Sequence, residues 1–94
     1  MIVDIKGKAF KKLQKLPKAD KERIEARIEH ISTLDHPSDI SNDGPLTGTT
    51  NRYKIRQGNY RIVYKIESDK GILITAIDHR KDIYNKLFGI SFGF

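Results

Sequence analysis

The stretch from Asn51 to Ile66, NRYKIRQGNYRIVYKI, constrains the fold of this chain more than any other. It reads as two strands joined at Gly58-Asn59, and glycine at the first turn position suits a type II′ hairpin. That turn sets the register. Gln57 falls opposite Tyr60, Arg56 opposite Arg61, Ile55 opposite Ile62, Lys54 opposite Val63, Tyr53 opposite Tyr64 and Arg52 opposite Lys65. Opposed residues share a face, and faces alternate along each strand. One face then carries Tyr53, Ile55, Tyr60, Ile62, Tyr64 and Ile66. The other carries Arg52, Lys54, Arg56, Arg61 and Lys65 around Val63.

The second face has no carboxylate in the hairpin itself. Arg56 against Arg61, and Arg52 against Lys65, are like-charge cross-strand pairs, which weaken a sheet. A polyanionic partner accounts for them. The competing account is a solvated outer face whose cations guard against edge pairing. That account suits one or two cations better than five. The whole chain is basic as well, with 18 Lys and Arg against 12 Asp and Glu and a net charge of +6.

At 94 residues a single domain spanning 1–94 is expected. Without cysteine there are no disulfides or thiolate metal sites. No apolar run approaches the roughly 20 residues of a membrane span. The start, MIVDIKGKAF, lacks the layout of a signal peptide, so a cytoplasmic protein with no membrane association is expected.

Ahead of the hairpin, Ile2 to Ile5 reads as an edge strand. A helix is expected from about Lys8 to Leu16, with Phe10, Leu13 and Leu16 as its apolar line and lysines elsewhere. Pro17 separates it from a second helix over about Ala19 to Leu34, whose inner stripe is Ile24, Ile28, Ile31 and Leu34. Asp35 to Thr50 reads as a loop anchored by Leu46. Asp35, Asp39 and Asp43 do not match the spacing of a calcium loop, and no metal or other cofactor is expected. After the hairpin, Gly71 to Asp78 reads as a third sheet strand. Regular alternation puts Ile72, Ile74 and Ala76 on one face and Leu73, Thr75, Ile77 and His79 on the other. A short helix around Ile83, Tyr84, Leu87 and Phe88 and the tail GISFGF close the chain. The expected class is α+β: an N-terminal strand, a helical hairpin packed on an antiparallel sheet, and a short C-terminal helix.

Basic side chains interleaved with aromatic ones suit RNA, because Arg and Lys hold phosphates and Tyr stacks on unpaired bases. Cations also stabilise a phosphate undergoing displacement. His79 is the acid–base candidate by residue type. Against this, His79 also reads as a polar residue at a strand end, and Tyr84 as a core residue of the last helix.

Several motifs together resemble the RelE/ParE superfamily of type II toxin–antitoxin toxins, most of all the RelE-type mRNA interferases. They are Phe10, Leu13 and Leu16-Pro17, then Leu46-x-Gly48, then Tyr53-Lys54-Ile55-Arg56-x-Gly58-x-Tyr60-Arg61-Ile62-Val63-Tyr64, and last His79-Arg80-Lys81-Asp82-Ile83-Tyr84. The resemblance implies a toxin that cleaves mRNA in the ribosomal A site without a metal. The ribose 2′-OH attacks the adjacent phosphate, leaving a 2′,3′-cyclic phosphate and a 5′-OH. It implies roles for Lys54 and Arg56 as the basic pair before the turn, and for Arg61 as the stabiliser of phosphorane charge. His79 or Arg80 would take the catalytic position after the last long strand, and Tyr84 would stack on or protonate substrate. The general base is open between His79 and Lys54. Arg52, Lys65, Arg80 and Lys81 would bind RNA. The implied partners are mRNA on the ribosome and a cognate antitoxin. The alternatives are a ParE-like inhibitor of DNA gyrase and a non-catalytic RNA- or protein-binding relative.

Overall fold

A computed structural model describes residues 1–46 and 51–82 of the chain. The elements run β1 (Ile2–Ile5), α1 (Gly7–Gln14), α2 (Lys18–Ser32), a short 3-10 turn (Pro37–Asp39), β2 (Arg52–Gln57), β3 (Tyr60–Ser68) and β4 (Gly71–His79). Residues 80–82 have helical backbone. The expected C-terminal helix beyond them, with Tyr84, and the tail lie outside the described residues.

The hairpin forms in the register that its turn dictates, from Gln57 opposite Tyr60 to Arg52 opposite Lys65. Gly58 has φ of 60°, the value a type II′ turn needs at its first central position. β4 pairs antiparallel with β3. β1 pairs parallel with β4, so the strands run β1-β4-β3-β2: the expected antiparallel sheet of β2, β3 and β4 carries β1 as a parallel edge strand, which makes the whole sheet mixed. The reason is the path of the chain. Two helices and a hairpin separate β1 from β4, which is ample length for a crossover connection.

Regular alternation fails in β4. Val63 pairs with Ala76 but Tyr64 pairs with Ile74, leaving Thr75 as a bulge. Ile77 therefore joins Ile72 and Ile74 on the helix-packed face, while Ala76 and Asp78 turn to the other. This corrects the grouping expected from period two.

The main core lies between that face and the helices. It contains Ala9 and Leu13 of α1, Ile24 and Ile31 of α2, and Ile55, Ile62, Tyr64, Ile72, Ile74 and Ile77 of the sheet. Each such isoleucine contributes about 1.5–3 kcal/mol by leaving water. In α1 the inward residues are Ala9 and Leu13, and Phe10 is 49% exposed, contrary to its expected place in the apolar line. The inward direction of α1 is set by Ala9 and Leu13, and at about 100° per residue position 10 lies to the side of it. A smaller cluster of Leu46 and Val63, with Ala76 against it, sits on the opposite sheet face, so Leu46 anchors its loop there.

Candidate functional site: a cationic sheet face

The second sheet face is built by three strands and one loop. Register places Arg56 of β2, Arg61 of β3 and Asp78 of β4 in one cross-strand row. Lys54, Val63 and Ala76 form the next row, and Arg52, Lys65 and Leu73 the last. Neighbouring strands lie about 4.8 Å apart, so the cations of one row are within reach of a single anionic group.

Two carboxylates offset this charge, and neither is apparent from the hairpin sequence alone. Asp78 reaches the face through the bulge at Thr75 and is only 5% exposed. Its Oδ1 lies 3.3 Å from Nζ of Lys12 on α1. Asp43 arrives from the loop before β2, with its Oδ2 3.6 Å from Nε of Arg56. That loop is held along β2 by backbone bonds from Asp43 N–H to Lys54 O (2.9 Å), Lys54 N–H to Gly44 O (3.2 Å) and Leu46 N–H to Arg52 O (2.8 Å). The loop thus protects the outer edge of β2 and delivers a carboxylate to it.

Arg61 is oriented by the turn. Its Nη1 donates to Gly58 O at 3.3 Å and to Tyr60 O at 3.0 Å. On the far side of the hairpin, Arg27 of α2 bonds Gln57 Oε1 at 3.4 Å and Ser41 O at 3.0 Å, tying the helix to the end of β2 and to the loop.

His79 pairs with Tyr60, and their rings meet edge-on with centroids 5.7 Å apart. Tyr60 packs against the main core. His79 therefore stands at the strand end on the Tyr60 side, whereas Lys54, Arg56 and Arg61 share the cationic face. The next residue, Arg80, is held by its N–H on Asn59 O at 2.8 Å, beside the hairpin turn. Arg80 and Lys81 are exposed. Tyr84 lies outside the described residues.

Tyr53 and Tyr64 stack at 5.7 Å on the core face. Tyr64 is buried, and its hydroxyl accepts from Asn42 Nδ2 at 3.0 Å. Desolvation raises its pKa, the Asn42 bond opposes that rise, and Tyr53 adds to it. Both rings are structural, not exposed stacking platforms. Among the described residues no group of three His, Asp or Glu is assembled that could hold a metal ion. No described helix is long and apolar enough to cross a membrane.

What the sequence reading missed is Asp78, Asp43 and the lysines of α1. The only signal for Asp78 was the spacing of the isoleucines at 72, 74 and 77, two and then three residues, which marks a bulge only when Ala76 is discounted.

Comparison with known proteins agrees with this architecture. The family model described as ParE toxin of type II toxin–antitoxin system, parDE, matches residues 3–84. The chain is 34% identical over 76 residues to Toxin RelE3 of Methanocaldococcus jannaschii, covering 80% of this chain and 85% of that protein. It superposes on the toxin–antitoxin RelB–RelE complex from Methanococcus jannaschii with TM-score 0.68 and 28% identity, covering 89% of this chain and 98% of the matched one. The archaeal RelE–RelB complex from Pyrococcus horikoshii OT3 gives TM-score 0.64 and 31% identity, over 84% and 93% of the two chains. The isolated Escherichia coli RelE toxin shares the fold at TM-score 0.66 and 22% identity, over 94% and 95%. The chain belongs to the RelE/ParE family of type II toxin–antitoxin toxins.

Proposed function

We propose that this toxin is an endoribonuclease of the RelE kind, which cleaves mRNA in the ribosomal A site. The observation that carries the reading is the concentration of Lys54, Arg56 and Arg61 on one sheet face, where Arg56 and Arg61 form a like-charge cross-strand pair that a purely structural sheet does not need. In the reaction the 2′-OH attacks the adjacent phosphorus, the P–O5′ bond breaks, and the products are a 2′,3′-cyclic phosphate and a 5′-OH. The nucleophile belongs to the substrate, so no metal-activated water is required. Arg61 and Arg56 hold the equatorial oxygens as negative charge builds on them. Guanidinium suits this task because it stays charged and can donate two parallel bonds. Lys54 or His79 takes the proton from the 2′-OH, and a conformational step that turns His79 from Tyr60 toward the face precedes any role for it. Tyr84 is assigned to the leaving 5′ oxygen. Arg52, Lys65, Arg80 and Lys81 bind flanking phosphates.

The same cationic face makes an acidic segment of a cognate antitoxin its natural inhibitor, as the RelB–RelE pairing of its structural relatives supports. The family model is described by its ParE members, which keeps gyrase inhibition as the second reading.

Primer extension on a reporter mRNA in a reconstituted translation reaction tests the proposal. New ends at codon-spaced positions, lost without ribosomes and lost with Arg61→Ala, are expected. Growth arrest with uncut mRNA, and arrest that survives Arg61→Ala, would overturn it in favour of gyrase inhibition.

A further inference from the structure

The pairing of β1 with β4 ends at Ile5 and Ile74, and α1 covers the edge of β4 beyond that point. Between them runs a groove of about 610 Å³. One wall is formed by Lys8, Lys11, Lys12 and Lys15, and the other by Thr75 to Asp78. The lysines fall at i, i+3, i+4 and i+7, a single stripe of the helix. The like-charge pairs Lys8/Lys12 and Lys11/Lys15 at i,i+4 weaken α1. The helix has no side-chain N-cap bond and no acidic residue in its first turn to offset that. Among the described residues Lys12 alone of the four has an ion-pair partner, Asp78. Asp78 lies in the row of Arg61 and Arg56, so the groove opens directly onto the cationic sheet face.

We propose that this groove is a second track for the phosphate backbone of single-stranded RNA, continuing the path of the strand bound at the cationic face. The inference rests on the RNA-directed reading of that face. Asp78 acts as the positioning residue of the junction, because a buried carboxylate fixes the Lys12 ammonium while leaving it donors for a phosphate. A protein segment is the poorer fit. Protein interfaces are depleted in lysine and anchored by aromatic, Met and Arg side chains in pockets. This groove is lined by four lysines over the small side chains of Ala9, Thr75 and Ala76. The lysine stems cover the apolar floor and their heads meet the phosphates.

The test is binding of a fluorescent 2′-O-methyl RNA oligonucleotide, which cannot be cleaved, measured by anisotropy over a range of salt concentrations. The variant is Lys8→Gln/Lys11→Gln/Lys15→Gln in the full chain. All three residues are exposed, and the Lys12–Asp78 pair stays intact. Binding is expected to weaken about tenfold, with the salt slope shallower by about 0.7 for each phosphate that is no longer neutralised. Unchanged affinity and slope in the folded variant overturn the proposal, as does an unmutated protein that binds no oligonucleotide. A variant that binds RNA normally but no longer binds antitoxin assigns the groove to an acidic protein segment, which also overturns it. Arg61→Ala separates the two readings. If it abolishes mRNA cleavage while the lysine variant changes nothing, the groove proposal fails and the nuclease stands. If the unmutated protein cuts no mRNA yet the lysine variant loses oligonucleotide affinity, the nuclease fails and the groove stands.

Discussion

The bulge at Thr75 decides which side chains reach the site, and a pair of truncations tests it. Leu73 and Ile77 are four residues apart in β4. A regular strand would place them on one face and give them similar weight. The bulge separates them. Ile77 is 1% exposed within the main core, whereas Leu73 is half-buried on the opposite face beside Lys65. Ile77→Ala removes three buried carbons and leaves a cavity lined by core residues, which costs about 2–5 kcal/mol. Leu73→Ala gives up roughly half of a full side-chain burial and leaves no enclosed void, so it costs about 1 kcal/mol. For a domain of this size each kcal/mol lowers the melting temperature by about 4–8 °C. A 3 kcal/mol loss at Ile77 then corresponds to about 12–24 °C, several times the effect at Leu73. The chain has no tryptophan, so far-ultraviolet circular dichroism during thermal and urea unfolding is the suitable readout. Equal losses for the two variants would refute the bulge. With it would fall the placement of Asp78 beside Arg61 and of His79 beside Tyr60.

Other measurements bear on separate parts of the structure. Tyr64 has a pKa raised by burial above the ordinary 10.0, so the folded state holds its proton longer than the unfolded chain does. Stability from this residue is full below about pH 10 and is lost as pH rises through the raised value; tyrosinate absorbance should show a step later than that of an ordinary tyrosine, and Tyr64→Phe should remove that step. Gly58→Ala places a side chain at φ of 60°, and with open space around the new Cβ the cost is the backbone strain alone, about 1–2 kcal/mol by urea denaturation. Asp43→Asn breaks an exposed pair with Arg56, so stability should change by less than about 1 kcal/mol. RNA affinity should rise instead, because Arg56 no longer exchanges a carboxylate for a phosphate; reduced affinity would mean that Asp43 orders the arginine.

The hairpin was legible because its turn residues and its alternation agree, and one glycine position fixes every pairing from Arg52 to Lys65. The two helices were legible from the spacing of Leu13, Ile24 and Ile31. Phe10 misled because a line through Phe10, Leu13 and Leu16 has helical spacing too, and the small Ala9, four residues before Leu13, was not counted as the inward residue. β4 was harder. Its residues from Ile72 to Ile77 are almost all apolar, so no alternation survives in the sequence to reveal where the pleat slips. The two carboxylates were hidden for different reasons. Asp78 depended on that slip, and Asp43 on a loop path that turn-forming residues allow without specifying. The cations themselves were readable. Their counter-charges, and the continuity of the face with α1, are tertiary facts.

The parallel pairing of β1 with β4 also bears on how the chain acquires its fold. Ile2 meets Gly71 and Ile5 meets Ile74, so the first strand closes on the last described one across nearly the whole described sequence. Such non-local closure slows folding because the entropy of a large loop is lost before the contact forms. The helices and the β2–β3 hairpin are local and can form early. β4, which sits between β1 and β3, must be present before either flank of the sheet is complete. During synthesis the hairpin cations emerge before β4, which brings Asp78 to Arg61 and Lys12, so a nascent chain stopped short of β4 carries the charge of the site without its geometry.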